Sequence, residues 1–91
     1  MTIEQITDPT LREAAKLRRA ADLIDGVEGS CVHYLDAIET VFLSTKKRTE
    51  YRYLVESTYH FEAESFEDPG YHAAADLLRR FATALDGREE S

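Results

Sequence analysis

Two stretches of this chain carry helix punctuation at both ends, and they leave little freedom in what it can fold into. Asp8-Pro9 opens the first and Gly26 closes it; Asp68-Pro69 opens the second and Gly87 closes it. An aspartate cap accepts a bond from an N–H that the first helical turn leaves unpaired. Proline at the first helical position loses no intrahelical bond, and glycine takes the left-handed backbone at which helices stop. Between these marks apolar residues recur at helical spacing. Leu11, Ala14, Leu17, Ala21 and Ile24 form one stripe, with Arg12, Lys16, Arg19 and Asp22 outside it. Ala74, Leu77, Leu78, Phe81, Ala82 and Leu85 form the other, with His72, Asp76, Arg79, Arg80 and Thr83 facing water.

The interval between them holds a further amphipathic pattern. Cys31, Tyr34, Leu35, Ile38, Val41 and Phe42 share one helical face, opposite His33, Asp36, Thr40 and Ser44. Ser30 is the expected cap, Cys31 a packed core thiol, and Lys46-Lys47-Arg48 a positive charge suited to this helix's C-terminus. Residues 49–66 read two ways. As a strand, Tyr51, Tyr53, Val55, Ser57, Tyr59, Phe61 and Ala63 alternate with polar residues in a β-favouring composition. As a helix, Tyr51, Leu54, Val55, Thr58, Tyr59 and Phe66 form a stripe that Glu62 interrupts. The helical reading is preferred, because a lone strand leaves half of its backbone groups unpaired. The expected fold is therefore mainly α, a small four-helix arrangement. The alternative is α+β, with residues 49–64 as a strand or hairpin arm between helices. No internal repeat is recognised.

With 91 residues the chain has one domain's worth of sequence. Residues 1–7 are expected to be a lead-in, 8–87 a single compact domain and 88–91 a disordered tail. The formal net charge of −7 repels phosphate backbones, so no direct nucleic-acid binding is expected. The same charge favours a protein partner with a basic surface. A single cysteine excludes an intrachain disulfide, and no apolar run approaches a membrane span, so the expectation is a cytoplasmic protein without membrane contact.

Signatures of catalysis are missing from the sequence. The four glycines form no phosphate-binding loop, and no His-Glu-x-x-His or Cys-x-x-Cys pair occurs. No catalytic residue and no cofactor are assigned, and the expectation is a protein that is not an enzyme. The one metal candidate is His60, Glu62 and Glu64, which would share a face at alternate positions of a strand. The same alternation arises in any solvated strand face, which is the preferred account of it.

Two features point to binding. No lysine or arginine occurs between Arg52 and Arg79, an interval that holds Glu56, Glu62, Glu64, Glu67, Asp68 and Asp76. Tyr51, Tyr53 and Tyr59 cluster at its start, and tyrosine is common both in half-buried cores and at interfaces. The expected partner-binding set is Tyr53, Glu56, Tyr59, Glu62, Glu64, Glu67 and Asp68. The expected role is that of a small acidic inhibitor or adaptor of the phage, plasmid or antitoxin kind, with nucleic-acid mimicry as a variant. A thin core beside an aromatic segment leads to the expectation of a homodimer with residues 51–66 at or near the interface. The alternative role is a small-ligand or metal-binding domain with its site at a dimer interface.

Overall fold

The computed structural model describes residues 3–27, 29, 31–62 and 71–87; for residue 4, residues 59–62 and residues 71–72 it describes the backbone alone. After a 3-10 turn at Ile3–Gln5 come four helices: α1 (Pro9–Asp25), α2 (Tyr34–Val41), α3 (Thr45–Glu62) and α4 (Tyr71–Asp86). The described residues contain no strand. The mainly helical expectation holds, and the strand reading of residues 49–64 does not: the chain is helical through Glu62. Residues 63–70 and 88–91 lie outside the described residues.

Asp68-Pro69 lies outside the described residues, and the other three marks act as their chemistry requires. Asp8 Oδ1 accepts from the backbone N–H of Thr10 at 2.8 Å and of Leu11 at 3.2 Å, with Pro9 in the first turn. At the other end Gly26 adopts a left-handed φ of 71°. Its N–H donates to the Leu23 carbonyl, and the Val27 N–H donates to that of Asp22, so two end carbonyls are satisfied. Glycine is required here twice over, because a Cβ would also lie 2.8 Å from Cys31 Sγ and 2.9 Å from the Gly29 carbonyl oxygen. Gly87 closes α4 in the same conformation, donating to the Thr83 carbonyl at 2.7 Å.

Helices α1 and α4 form the most extensive pairing in the molecule. Their contact surface is rich in alanine: Ala14, Ala20, Ala21, Ala74, Ala75 and Ala82 are all fully buried. Small side chains let the two backbones approach closely, and Leu17, Ile24 and Leu78 fill the remaining volume. Each of those three large residues contributes about 1.5–3 kcal/mol by leaving water.

The pairing reveals an internal correspondence, which corrects the expectation of no repeat. Residues 17–26 read Leu-Arg-Arg-Ala-Ala-Asp-Leu-Ile-Asp-Gly, and residues 78–87 read Leu-Arg-Arg-Phe-Ala-Thr-Ala-Leu-Asp-Gly. Matched positions behave alike. Leu17 and Leu78 are buried, Ala21 and Ala82 are buried, and Gly26 and Gly87 cap. The ion pairs are reciprocal. Arg18 holds Asp86 with both terminal nitrogens, the Nη2–Oδ1 bond being 3.1 Å. Arg79 donates from Nη1 to Asp25 and from Nη2 to Asp22, the latter at 2.8 Å. Position 18 thus meets 86 while 79 meets 25, so the helices run antiparallel and each arginine reaches the other helix's last residue. An aspartate at a helix C-terminus sits at the negative end of the helix dipole, and the crossing guanidinium offsets that cost.

This arrangement corrects the placement of Arg79 as a water-facing residue. Its side chain is only 24% exposed and is engaged by two carboxylates. Arg12 also leaves the outer face, where it was expected, to donate from Nε and Nη2 to the Ile6 carbonyl at 2.9 and 2.7 Å, tying the lead-in to α1. Phe81, expected on the apolar face, is partly buried and packs against the core.

The second helix is shorter than its pattern predicts. Its cap is His33, whose Nδ1 accepts from the Leu35 N–H at 3.2 Å, rather than Ser30. Cys31 precedes the helix and is exposed, which corrects its assignment to the core. Since α2 ends at Val41, Lys46, Lys47 and Arg48 fall in the first turn of α3 instead of closing α2. Positive charge there opposes the helix dipole. Carboxylates on other helices compensate: Lys47 pairs with Glu13 of α1 at 2.6 Å, and Arg48 with Glu39 of α2 at 3.2 Å.

Candidate functional site

Helix α3 is where the expected binding residues fall, and its two faces differ. The inner face carries Tyr51 and Val55, four residues apart and buried. The Tyr51 ring lies 4.8 Å from that of Phe42 and 6.5 Å from that of Phe81, joining α3 to the core. Burial pushes the Tyr51 hydroxyl well above the usual tyrosine range, and its hydrogen bond with Glu13 raises it further. Burial alone would raise the Glu13 carboxyl. The bonds from Lys47 and Tyr51 and the Lys47 charge outweigh burial and hold it below its ordinary value. Lys47 is raised in turn, chiefly by its bond to Glu13. The ammonium also sits 5.9 Å from the Tyr51 ring centre. These three residues form a clamp between α1 and α3.

The outer face of α3 borders an open cleft shared with α2. Its lining is Leu35, Ile38 and Glu39 from α2, and Arg48, Thr49, Arg52, Tyr53 and Glu56 from α3. The volume is about 520 Å³, within the roughly 300–1,000 Å³ of ordinary ligand sites. Leu35 supplies apolar surface over the buried Ile38, while the charges come as opposed pairs. Arg48 Nη1 donates to Glu39, and Arg52 Nε donates to Glu56 Oε1, both at 3.2 Å. The Tyr34 hydroxyl donates to the same Glu56 oxygen at 3.3 Å. Tyr53 stands at the edge with 69% of its surface exposed.

Of the expected partner-binding residues, the structure brings Tyr53 and Glu56 together on this cleft. Tyr59 and Glu62 lie on the last turn and a half of α3, where the backbone alone is described. Glu64, Glu67 and Asp68 lie outside the described residues. The premise of the metal candidate is also altered. His60 and Glu62 are on a helix, where positions two apart point to nearly opposite sides, and Glu64 lies outside the described residues. Among the described residues no group of three or more His, Cys, Asp or Glu side chains could hold a metal. Cys31 is exposed while the Nδ1 of nearby His33 accepts the helix-capping bond, so that nitrogen is not placed as a base toward the thiol.

Sequence reasoning missed Leu35, Ile38, Glu39, Arg48, Thr49 and Arg52 as cleft residues. A signal was present: Arg48, Arg52 and Glu56 are spaced four apart, and Thr49, Tyr53 and Glu56 share one helical face. Only a helix brings Thr49 and Tyr53 to the same side as Glu56, because odd and even positions of a strand face opposite ways, so the strand alternative obscured this grouping. The described residues contain no helix long and apolar enough to cross a membrane. In comparison with known proteins, the chain matches no family model, no curated protein and no solved structure.

Proposed function

We propose that this chain is a non-enzymatic interaction protein that occupies a basic surface of a macromolecular partner as an inhibitor or adaptor. The observation that carries the reading is the segregation of charge beyond Tyr53. From that exposed tyrosine to Leu78 the chain holds six acidic residues and no lysine or arginine, within an overall charge of −7. Complementary potential of that kind speeds encounter and selects partners, while an exposed aromatic supplies an anchor. Phage- or plasmid-type inhibitors and antitoxins are the kind of small acidic protein intended, acting in the cytoplasm and as a homodimer. Nucleic-acid mimicry is a form of the same role, with carboxylates standing where phosphates would.

Affinity purification from the native host with mass spectrometry tests the class. A stoichiometric, salt-sensitive protein partner is expected. Glu62→Lys with Glu64→Lys should slow its association and flatten the dependence on ionic strength, whereas Glu89→Lys with Glu90→Lys makes the same net-charge change elsewhere. Equal binding by the two double variants would remove the localised surface. The cleft of about 520 Å³ between α2 and α3 favours one other reading, a small-ligand domain. That reading predicts recovery of a bound small molecule, and no protein, from the purified native chain.

A further inference from the structure

The outer face of α3 carries an exposed tyrosine between charges of opposite sign. On the cleft the charges of α3 fall either side of its midpoint: Arg48 and Arg52 precede Tyr53, and Glu56 follows it. The helix runs from Thr45 to Glu62, so Arg52 and Tyr53 stand at its centre. Both are exposed, and both line the cleft against α2. A helix that is basic in one half and acidic in the other is complementary to itself when two copies run antiparallel.

We propose that the chain dimerises across a two-fold axis that passes between Arg52 and Tyr53, with each α3 seated in the α2–α3 cleft of the other copy. This rests on the proposed reading only for self-association, and it names the surface. In that register Arg52 of one copy stacks on Tyr53 of the other, and the symmetric pair repeats the contact. Arg48 and Thr49 come opposite Glu56 and Ser57 of the second copy. Leu35 of α2 supplies apolar surface on both sides, backed by the buried Ile38. The intrachain pairs Arg48–Glu39 and Arg52–Glu56 hold these side chains along the cleft in advance, which lowers the ordering cost of association.

Sedimentation velocity or light scattering on the whole chain should show a dimer at micromolar concentration. Tyr53→Ser should shift the mass toward monomer with an unchanged circular dichroism spectrum, since the residue is exposed. Arg48→Glu with Arg52→Glu should give a monomer, and so should Glu56→Lys. An equimolar mixture of the two should recover a heterodimer. Orientation is read from cysteine pairs on a Cys31→Ser background. Lys46→Cys mixed with His60→Cys should cross-link, and Lys46→Cys alone should not. A wild-type monomer at high micromolar concentration overturns the proposal, as does a dimer that survives Tyr53→Ser and both charge reversals. Self-cross-linking of Lys46→Cys overturns the antiparallel register. Capture of a basic partner is a separate measurement, so failure of the dimer and failure of the partner reading are distinguishable.

Discussion

The α1–α4 pair and helix α3 are held to the same molecule by different physics. The pair is joined along its length by fully buried alanines and by two arginines that each grip the other helix's terminal aspartate. Helix α3 touches the rest through far less backbone proximity. It relies on Tyr51 and Val55 in the core and on the clamp of Glu13, Lys47 and Tyr51. Its other face carries exposed charge and Tyr53. A helix buried on a narrow stripe keeps the rest of its surface for other contacts, whereas one locked along both an apolar and an ionic seam has little left to offer. The division puts the scaffold in α1–α4 and the surface chemistry in α3.

Core truncation should separate the two regions most strongly. Leu78 is fully buried between α1 and α4, so Leu78→Ala should cost about 2–5 kcal/mol in urea unfolding. Overpacking at Ala21→Leu should be of similar sign, about 1–3 kcal/mol, because the close backbone approach leaves no room for a larger side chain. Phe81→Ala, at a partly buried position, should cost less than Leu78→Ala. If Leu78→Ala and Val55→Ala lower the unfolding midpoint equally, α3 is as deeply integrated as the pair and the contrast fails.

The reciprocal ion pairs come next, and they test whether the correspondence between the helices is energetic as well as geometric. Asp86 is nearly buried, with 3% of its side chain exposed. Arg18→Ala leaves that carboxylate without its main cation, so the loss should lie toward the lower end of the about 3–5 kcal/mol for breaking a buried pair. Arg79 serves more exposed carboxylates, and Arg79→Ala should cost about 1–2 kcal/mol. The exchange Arg18→Asp with Asp86→Arg should recover part of the first loss. Recovery of nothing would mean that packing of the arginine stem, rather than charge, makes the contact.

These two seams were unequally legible in the sequence. Asp8-Pro9, Gly26 and Gly87 marked α1 and the end of α4 because caps depend on local backbone chemistry, which a sequence carries in full. The apolar stripes named Leu17, Ile24 and Leu78 for the same reason. Arg79 was misplaced because helical periodicity ranks faces by polarity, and a salt-bridged arginine looks like a solvated one. Its partner lies on another helix, information that periodicity lacks. The correspondence between residues 17–26 and 78–87 was in plain letters, but its meaning required the antiparallel pairing that sets Arg18 against Asp86. In α3, Tyr51, Tyr53 and Val55 alternate as a strand would. The helix keeps Tyr51 and Val55 inside and turns Tyr53 out, so a period-two pattern arose from an i, i+4 pair plus one functional-looking outlier. Cys31 followed a stripe that the shorter α2 never reaches.

The smallest effect concerns the clamp that attaches α3, and pH reads it. The folded-state value of Glu13 is depressed below its ordinary 4.5. Its contribution is therefore complete above that value and is lost as the pH falls through the folded value. Glu13→Gln cannot ionise, and its bond to Lys47 is no longer charge-assisted, so the variant should be less stable at neutral pH. The pair is partly exposed, which limits the difference to about 0.5–1 kcal/mol. The gap between wild type and variant should stay constant from pH 7 to about 5 and then close as Glu13 takes up its proton. Lys47 is raised, so its share persists until the pH climbs through its own folded value, far above this window. Urea unfolding of both proteins across this range gives the curve. A gap that persists undiminished at pH 3 would show that the Glu13 charge contributes nothing, and that Tyr51 and Val55 alone fasten α3 to the pair.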